Sequence, residues 1–180
     1  AEVLKLLGAP DPVQSVAGMR TTGVLAALIP GADDTALGPL VHLEGDAEVV
    51  PEALRRLAVL GGDDLRARLR LSRKDAARLS EIRKATSMAD AEAGYRLGQS
   101  VATDGYLVRC TSLGAHVEAE VLARIRKASA QTFPVSAADL MPELTGPALG
   151  DALDRLEREW IESDFALTRD ALLERVRDWG

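Results

Sequence analysis

Ser72-Arg73-Lys74-Asp75-Ala76-Ala77-Arg78-Leu79-Ser80-Glu81-Ile82-Arg83-Lys84-Ala85 is the stretch that decides the fold class. Its first four residues have the form of a capping box, in which the serine and the acid three positions on satisfy each other's free N–H groups. Behind the box, Ala76, Leu79, Ile82 and Ala85 recur at the spacing of one helix face. The stretch predicts an amphipathic helix with Arg73, Lys74 and Lys84 opposite the apolar stripe and exposed.

The same grammar recurs on both sides. Ser87-Met88-Ala89-Asp90 and Ser136-Ala137-Ala138-Asp139 repeat the box, and Asp11-Pro12, Asp33-Asp34, Asp63-Asp64 and Thr168 read as further helix starts. Leu54, Leu57 and Leu60 mark a helix that stops at Gly61-Gly62, and Val117, Val121, Ile125 and Ala128 mark another. Leu149, Leu153, Leu156 and Trp160 give an amphipathic helix from Pro147, with Leu172, Val176 and Trp179 facing inward on the last one. An irregular stretch is expected near Gly98 and Gly105. No strand-like alternation is sustained anywhere. The expectation is an all-α, irregular multi-helix array of about nine to eleven helices, a body plus a smaller helical tail, with no sheet.

Composition agrees. The 180 residues are 47% hydrophobic and 28% charged, the balance of a folded chain rather than a disordered one. Aromatics make up only 3% while Leu and Ala dominate, which favours helices over sheets. No apolar run approaches the ~20 residues that cross a bilayer, and the start lacks a signal peptide's basic region. A soluble, cytoplasmic protein with no membrane partner is expected. Val3-Leu4-Lys5-Leu6-Leu7 reads as the last turns of a helix with no cap ahead of it, so the chain is expected to continue a longer one.

Candidate chemistry is sparse. Cys110 is the single cysteine, and His42 and His116 stand isolated from any nucleophile or zinc-like spacing. Gly61-Gly62-Asp63-Asp64 superficially resembles the paired carboxylates that hold metal ions, but opens a helix, where aspartates meet the positive end of the dipole. No catalytic residue and no metal ligand is assigned.

Charge is more informative. From Arg55 to Lys84 ten basic residues (Arg55, Arg56, Arg66, Arg68, Arg70, Arg73, Lys74, Arg78, Arg83, Lys84) face only four acids, in a chain whose net charge is −6. Both flanks are acidic. Such blocks are the footprint of a polyanion partner. Arg124, Arg126 and Lys127 form a smaller basic set.

Three further strings, Phe133-Pro134-Val135-Ser136-Ala137-Ala138-Asp139-Leu140, Leu144-Thr145-Gly146-Pro147-Ala148-Leu149-Gly150 and Trp160-Ile161-Glu162-Ser163-Asp164-Phe165, stand in this order near the C-terminus. Upstream lie Leu4-Lys5-Leu6-Leu7 with Pro10 and Pro12, Thr22-Gly23-Val24-Leu25, and Arg68-Leu69-Arg70-Leu71-Ser72. Together they resemble the C-terminal part of bacterial class II tRNA nucleotidyltransferases, the CCA-adding enzymes and their poly(A) polymerase relatives. One departure is Ala137, where that family more often has glycine.

The resemblance implies that residues 1–30 end the neck and start the body, 31–130 form the helical body and 131–180 the helical tail. It implies that the chain holds the acceptor stem and elbow of tRNA while an upstream catalytic head, with Mg²⁺ and ATP or CTP, extends the 3′ end. The parent chain would be a nucleotidyltransferase, and this fragment alone would need no cofactor and catalyse nothing. RNA-binding candidates are Arg66, Arg68, Arg70, Arg73, Lys74, Lys84, Arg124, Lys127 and Gly146, the last through free N–H groups at a helix start. Two alternatives stand beside this reading: the matching region of a poly(A) polymerase acting on RNA 3′ ends, and a helical protein-interaction adaptor whose basic stretch is only a solvated face.

Overall fold

A computed structural model describes residues 2–177 and residue 179. Helices appear where the apolar spacing is three or four, and most stop near a glycine, a proline or a left-handed residue. In chain order they are α1 (Glu2–Leu7), α2 (Val13–Thr21), α3 (Val24–Leu28), α4 (Leu37–Asp46), α5 (Ala53–Leu60), α6 (Leu65–Arg68), α7 (Arg73–Ala85), α8 (Asp90–Leu113), α9 (Ala119–Ser129), α10 (Gly146–Glu162) and α11 (Arg169–Arg177). A 3-10 turn at Ala137–Asp139 precedes α10. Among the described residues there is no strand, only one isolated antiparallel bridge between Ala32 and Gly61. The all-α array is what the apolar periodicity dictates.

The longest helix, α8, organises the body. Gly105 sits where a Cβ would come within 2.4 Å of the Ala85 side chain on α7, and Gly94 where one would meet the Ile125 carbonyl on α9 at 2.7 Å. Glycine at these two positions lets the three helices pack backbone against backbone. Gly98 acts on the path of the helix instead, since with φ 80° and ψ 162° it breaks α8 into two segments. The irregularity expected near Gly98 and Gly105 is therefore a break at the first and a close packing site at the second.

Apolar side chains bury into two clusters. The larger joins α1 to α9 through residues such as Leu37, Leu57, Ile82, Leu107 and Ile125. The smaller gathers Val135, Leu140, Ala152, Leu156, Trp160 and Leu172 in the tail. Thr168 caps α11 as the sequence suggests, its hydroxyl accepting from the Ala171 N–H at 3.3 Å. Ser72 caps α7 through the Asp75 N–H at 3.0 Å, and the box at Ser136 is also formed.

The box read at Ser87 is not formed. The Ser87 hydroxyl donates backward to the Lys84 carbonyl at 3.0 Å, since α8 starts at Asp90 with Ala89 in the cap position, and the Asp90 carboxylate binds Arg109. Asp64 holds the cap position of α6 without a side-chain bond.

Tyr95 ties α8 to the tail. Its ring meets Trp160 edge-on at 5.5 Å, and its hydroxyl donates to Glu157 at 2.7 Å. Burial, followed by that hydrogen bond, pushes the phenol up to about 12. A phenol that ionises near ~10 when unfolded and near 12 when folded stabilises this contact fully below pH ~10, and the contribution is lost as pH rises from there through 12. In a Tyr106→Phe variant, which leaves one tyrosine, ultraviolet titration of the phenolate should therefore give a midpoint near 12. A midpoint near the ordinary value would place Tyr95 outside the contact.

Candidate nucleic-acid interface

The segment from α5 to α7 is a chain of short elements that buries leucines and exposes arginines. Leu65, Leu69 and Leu71 point into the body core, while Arg66, Arg68, Arg70, Arg73 and Lys74 between and after them are exposed. Arg70 closes α6 in a left-handed conformation, φ 50°. Its N–H bonds the Ala67 carbonyl, and the Leu71 N–H bonds the Arg66 carbonyl at 3.0 Å. This is a Schellman closure, a position where glycine is the usual residue.

The ten cations of the Arg55–Lys84 window divide into two sets. Arg66, Arg68, Arg70, Arg73, Lys74, Arg83 and Lys84 are exposed, and among the described residues none of these side chains has an ion-pair partner. The other three, Arg55, Arg56 and Arg78, are tied into the fold and do not add to an exposed polyanion footprint. Arg55 and Arg56 are 3% and 1% exposed. Their α5 is packed by α1, α4, α7 and α8, so the face opposite Leu57 is buried too.

Both guanidinia reach Glu44 of α4, with Arg55 Nε at 2.8 Å and Arg56 Nη2 at 2.6 Å. Arg56 also donates to the carbonyls of Leu7, Ala9 and Pro10, closing the end of α1. Arg55 goes on to Asp104 of α8 at 2.7 Å, whose second oxygen takes Arg78 at 2.6 Å. Burial pushes the Asp104 carboxyl up, against the pull of Arg55 and Arg78. The network joins five helices, and its arginines are structural.

Local energetics distinguish the exposed set further. A non-glycine residue in the left-handed region costs about 1 kcal/mol. Arg73 and Lys74 open α7, where the helix dipole disfavours cations by ~0.3–1 kcal/mol each. Three cations thus sit where they weaken their own elements. Arg70→Gly should raise stability by about 0.5–1 kcal/mol, since glycine relieves more strain than it adds chain entropy. Thermal denaturation checks this, and a loss of stability would mean that the Arg70 side chain is held by the fold itself.

The remaining candidates differ in setting. Lys84 lies in the last turn of α7, where the dipole favours it. Arg124 is exposed on α9, whose main packing partner is α8. Lys127 is engaged, its Nζ 2.8 Å from Asp164. Gly146 opens α10, φ 61°, the helix that carries Leu156 and Trp160 of the tail cluster.

One grouping was hidden by sequence distance: His42, His116 and Cys110 line a single cleft of about 180 Å³. Burial pushes the Cys110 thiol up, opposite to an activated nucleophile. Among the described residues no three His, Cys, Asp or Glu side chains converge as metal ligands, and no helix is long and apolar enough to cross a membrane. No protein-family model matches the chain, and neither a curated protein nor a solved structure matches it.

Proposed function

We propose that the surface of α6 and the outer face of α7 grips structured RNA, with tRNA as the first candidate. In this reading the chain is the body and tail of a CCA-adding nucleotidyltransferase, and nucleotide addition, with its Mg²⁺ and ATP or CTP, belongs to a separate head domain. One observation carries the proposal: seven exposed cations between Arg66 and Lys84 have no acid partner among the described residues, while three of the five tail arginines, Arg155, Arg169 and Arg175, are paired with Glu159, Asp139 and Glu159.

A protein that needed these charges only for solubility would gain by pairing them. Holding Arg70, Arg73 and Lys74 at positions that cost stability suits a surface whose counter-charge arrives from outside. Duplex RNA is gripped through its backbone and shape, and arginines on short rigid elements suit that grip.

Titration of a labelled tRNA transcript by the 180-residue chain, followed by fluorescence anisotropy at several salt concentrations, tests the proposal. With four to six phosphates neutralised, affinity should fall about 10²–10³-fold between 50 and 200 mM salt. A flat salt dependence, or no binding at low salt, contradicts it.

A further inference from the structure

The seven unpaired cations are not spread evenly over a smooth face. Two of them, Arg66 on α6 and Arg83 on α7, line one cleft of about 350 Å³, together with Ser80, Leu71 and Leu79. That is the small end of the range for ligand clefts, ~300 Å³. Asp64 lines the same cleft. It is exposed and held at φ 49° in the cap position of α6, yet it makes no capping bond. Its carboxylate has no hydrogen bond or ion pair among the described residues, so the fold leaves it unused as a cap.

A bare phosphate does not fit this lining, because the two guanidinia would attract it and the carboxylate repel it. A ligand fits if it carries a negative group for the arginines and, a few ångströms away, a hydroxyl donor for the acid. An ionised carboxylate only accepts hydrogen bonds, and a guanidinium only donates them. A ribonucleotide unit supplies both partners, since its phosphate accepts and its 2′-hydroxyl donates. The apolar side chains of Leu71 and Leu79 suit the apolar face of the sugar.

We propose that this cleft seats one ribonucleotide of the bound RNA, its phosphate between Arg66 and Arg83 and its 2′-hydroxyl donating to Asp64, so that the chain tells RNA from DNA here. The inference rests on the RNA-binding reading above. It adds a discriminating interaction that charge alone does not provide, because DNA offers the same phosphates without the hydroxyl.

The test uses a hairpin of tRNA acceptor-stem sequence, made once as RNA and once as DNA, bound to the 180-residue chain at fixed salt. Asp64→Ala should lower the RNA-to-DNA affinity ratio about tenfold, the weight of a hydrogen bond to a charged group. Asp64→Asn keeps a carbonyl acceptor and tolerates the left-handed backbone, so it should keep most of the ratio. Arg66→Gln with Arg83→Gln should weaken RNA and DNA alike.

A scan of single 2′-deoxy substitutions in the RNA hairpin gives a readout independent of protein folding. One position should cost the unsubstituted chain about tenfold and cost Asp64→Ala nothing further. No such position, or an unchanged ratio in a folded Asp64→Ala, overturns the proposal. If Arg66→Gln/Arg83→Gln binds RNA normally while Arg73→Gln/Lys74→Gln does not, the cleft is idle and the surface reading survives. If neither pair affects binding, both fall together.

Discussion

Glu44→Ala should remove about 3–5 kcal/mol from the stability of the chain, the cost of taking one partner from a buried ion pair and leaving the other charged. Glu44 is 3% exposed and holds both Arg55 and Arg56. Without it Arg55 keeps Asp104, but Arg56 is left with three backbone carbonyls and no counter-charge. A guanidinium cannot shed its proton to escape, as a lysine can. Against a total of ~5–15 kcal/mol for a domain, the loss is about a fifth or more. It corresponds to a fall in melting temperature of roughly 6–20 °C.

Glu159→Ala breaks bridges to the half-exposed Arg155 and Arg175 and should cost at most about 1 kcal/mol. Urea denaturation followed by circular dichroism separates the two. A loss below about 1 kcal/mol for Glu44→Ala would mean that the network is solvated, and Arg55, Arg56 and Arg78 would rejoin the surface cations.

Trp160→Ala should cost about 3–5 kcal/mol, concentrated in the tail. The ring is 3% exposed and stands 4.8 Å from Phe165 and 5.5 Å from Phe133 and from Tyr95. The tail cluster has few other large buried side chains, so there is little to collapse into the space left behind. Trypsin should then cut α10 at Arg155 and Arg158 while α1 to α9 stay resistant. Resistance of α10 in the variant would show that the tail is held by its ion pairs instead of its aromatic core.

The helices were legible because their evidence is local. The stripe Ala76, Leu79, Ile82, Ala85 and its serine cap lie within fourteen consecutive positions and need no knowledge of neighbours. Two boxes of the same form nevertheless gave different outcomes: Ser72 caps α7, whereas α8 starts later with Ala89 as its cap, Ser87 turns back to Lys84, and Asp90 binds Arg109, nineteen positions away. The same limit hid the nature of Arg55 and Arg56. A wheel of α5 shows leucines on one side and arginines on another, but not that Glu44 and Asp104 arrive from other helices to cover them. Among the candidate RNA-binding residues, the cluster at 66–74 was readable as charge density. Its lack of acid partners among the described residues, the engagement of Lys127, and the meeting of Asp64, Arg66 and Arg83 in one cleft are tertiary facts.

The measurement that bears most directly on RNA binding by α6 and α7 compares two sets of charge removals against the same tRNA. One variant replaces Arg70, Arg73 and Lys74 with glutamine, and the other replaces the paired Arg155, Arg169 and Arg175. Each removes three positive charges from a chain of net charge −6, so general repulsion grows equally in both. The first should weaken tenfold or more at moderate salt and flatten the salt slope by about 0.9 for each phosphate no longer neutralised. The second should stay within about twofold of the unsubstituted chain, since its arginines already have partners. A folded first variant that binds like the unsubstituted chain, or two variants that weaken alike, would contradict RNA binding by this surface.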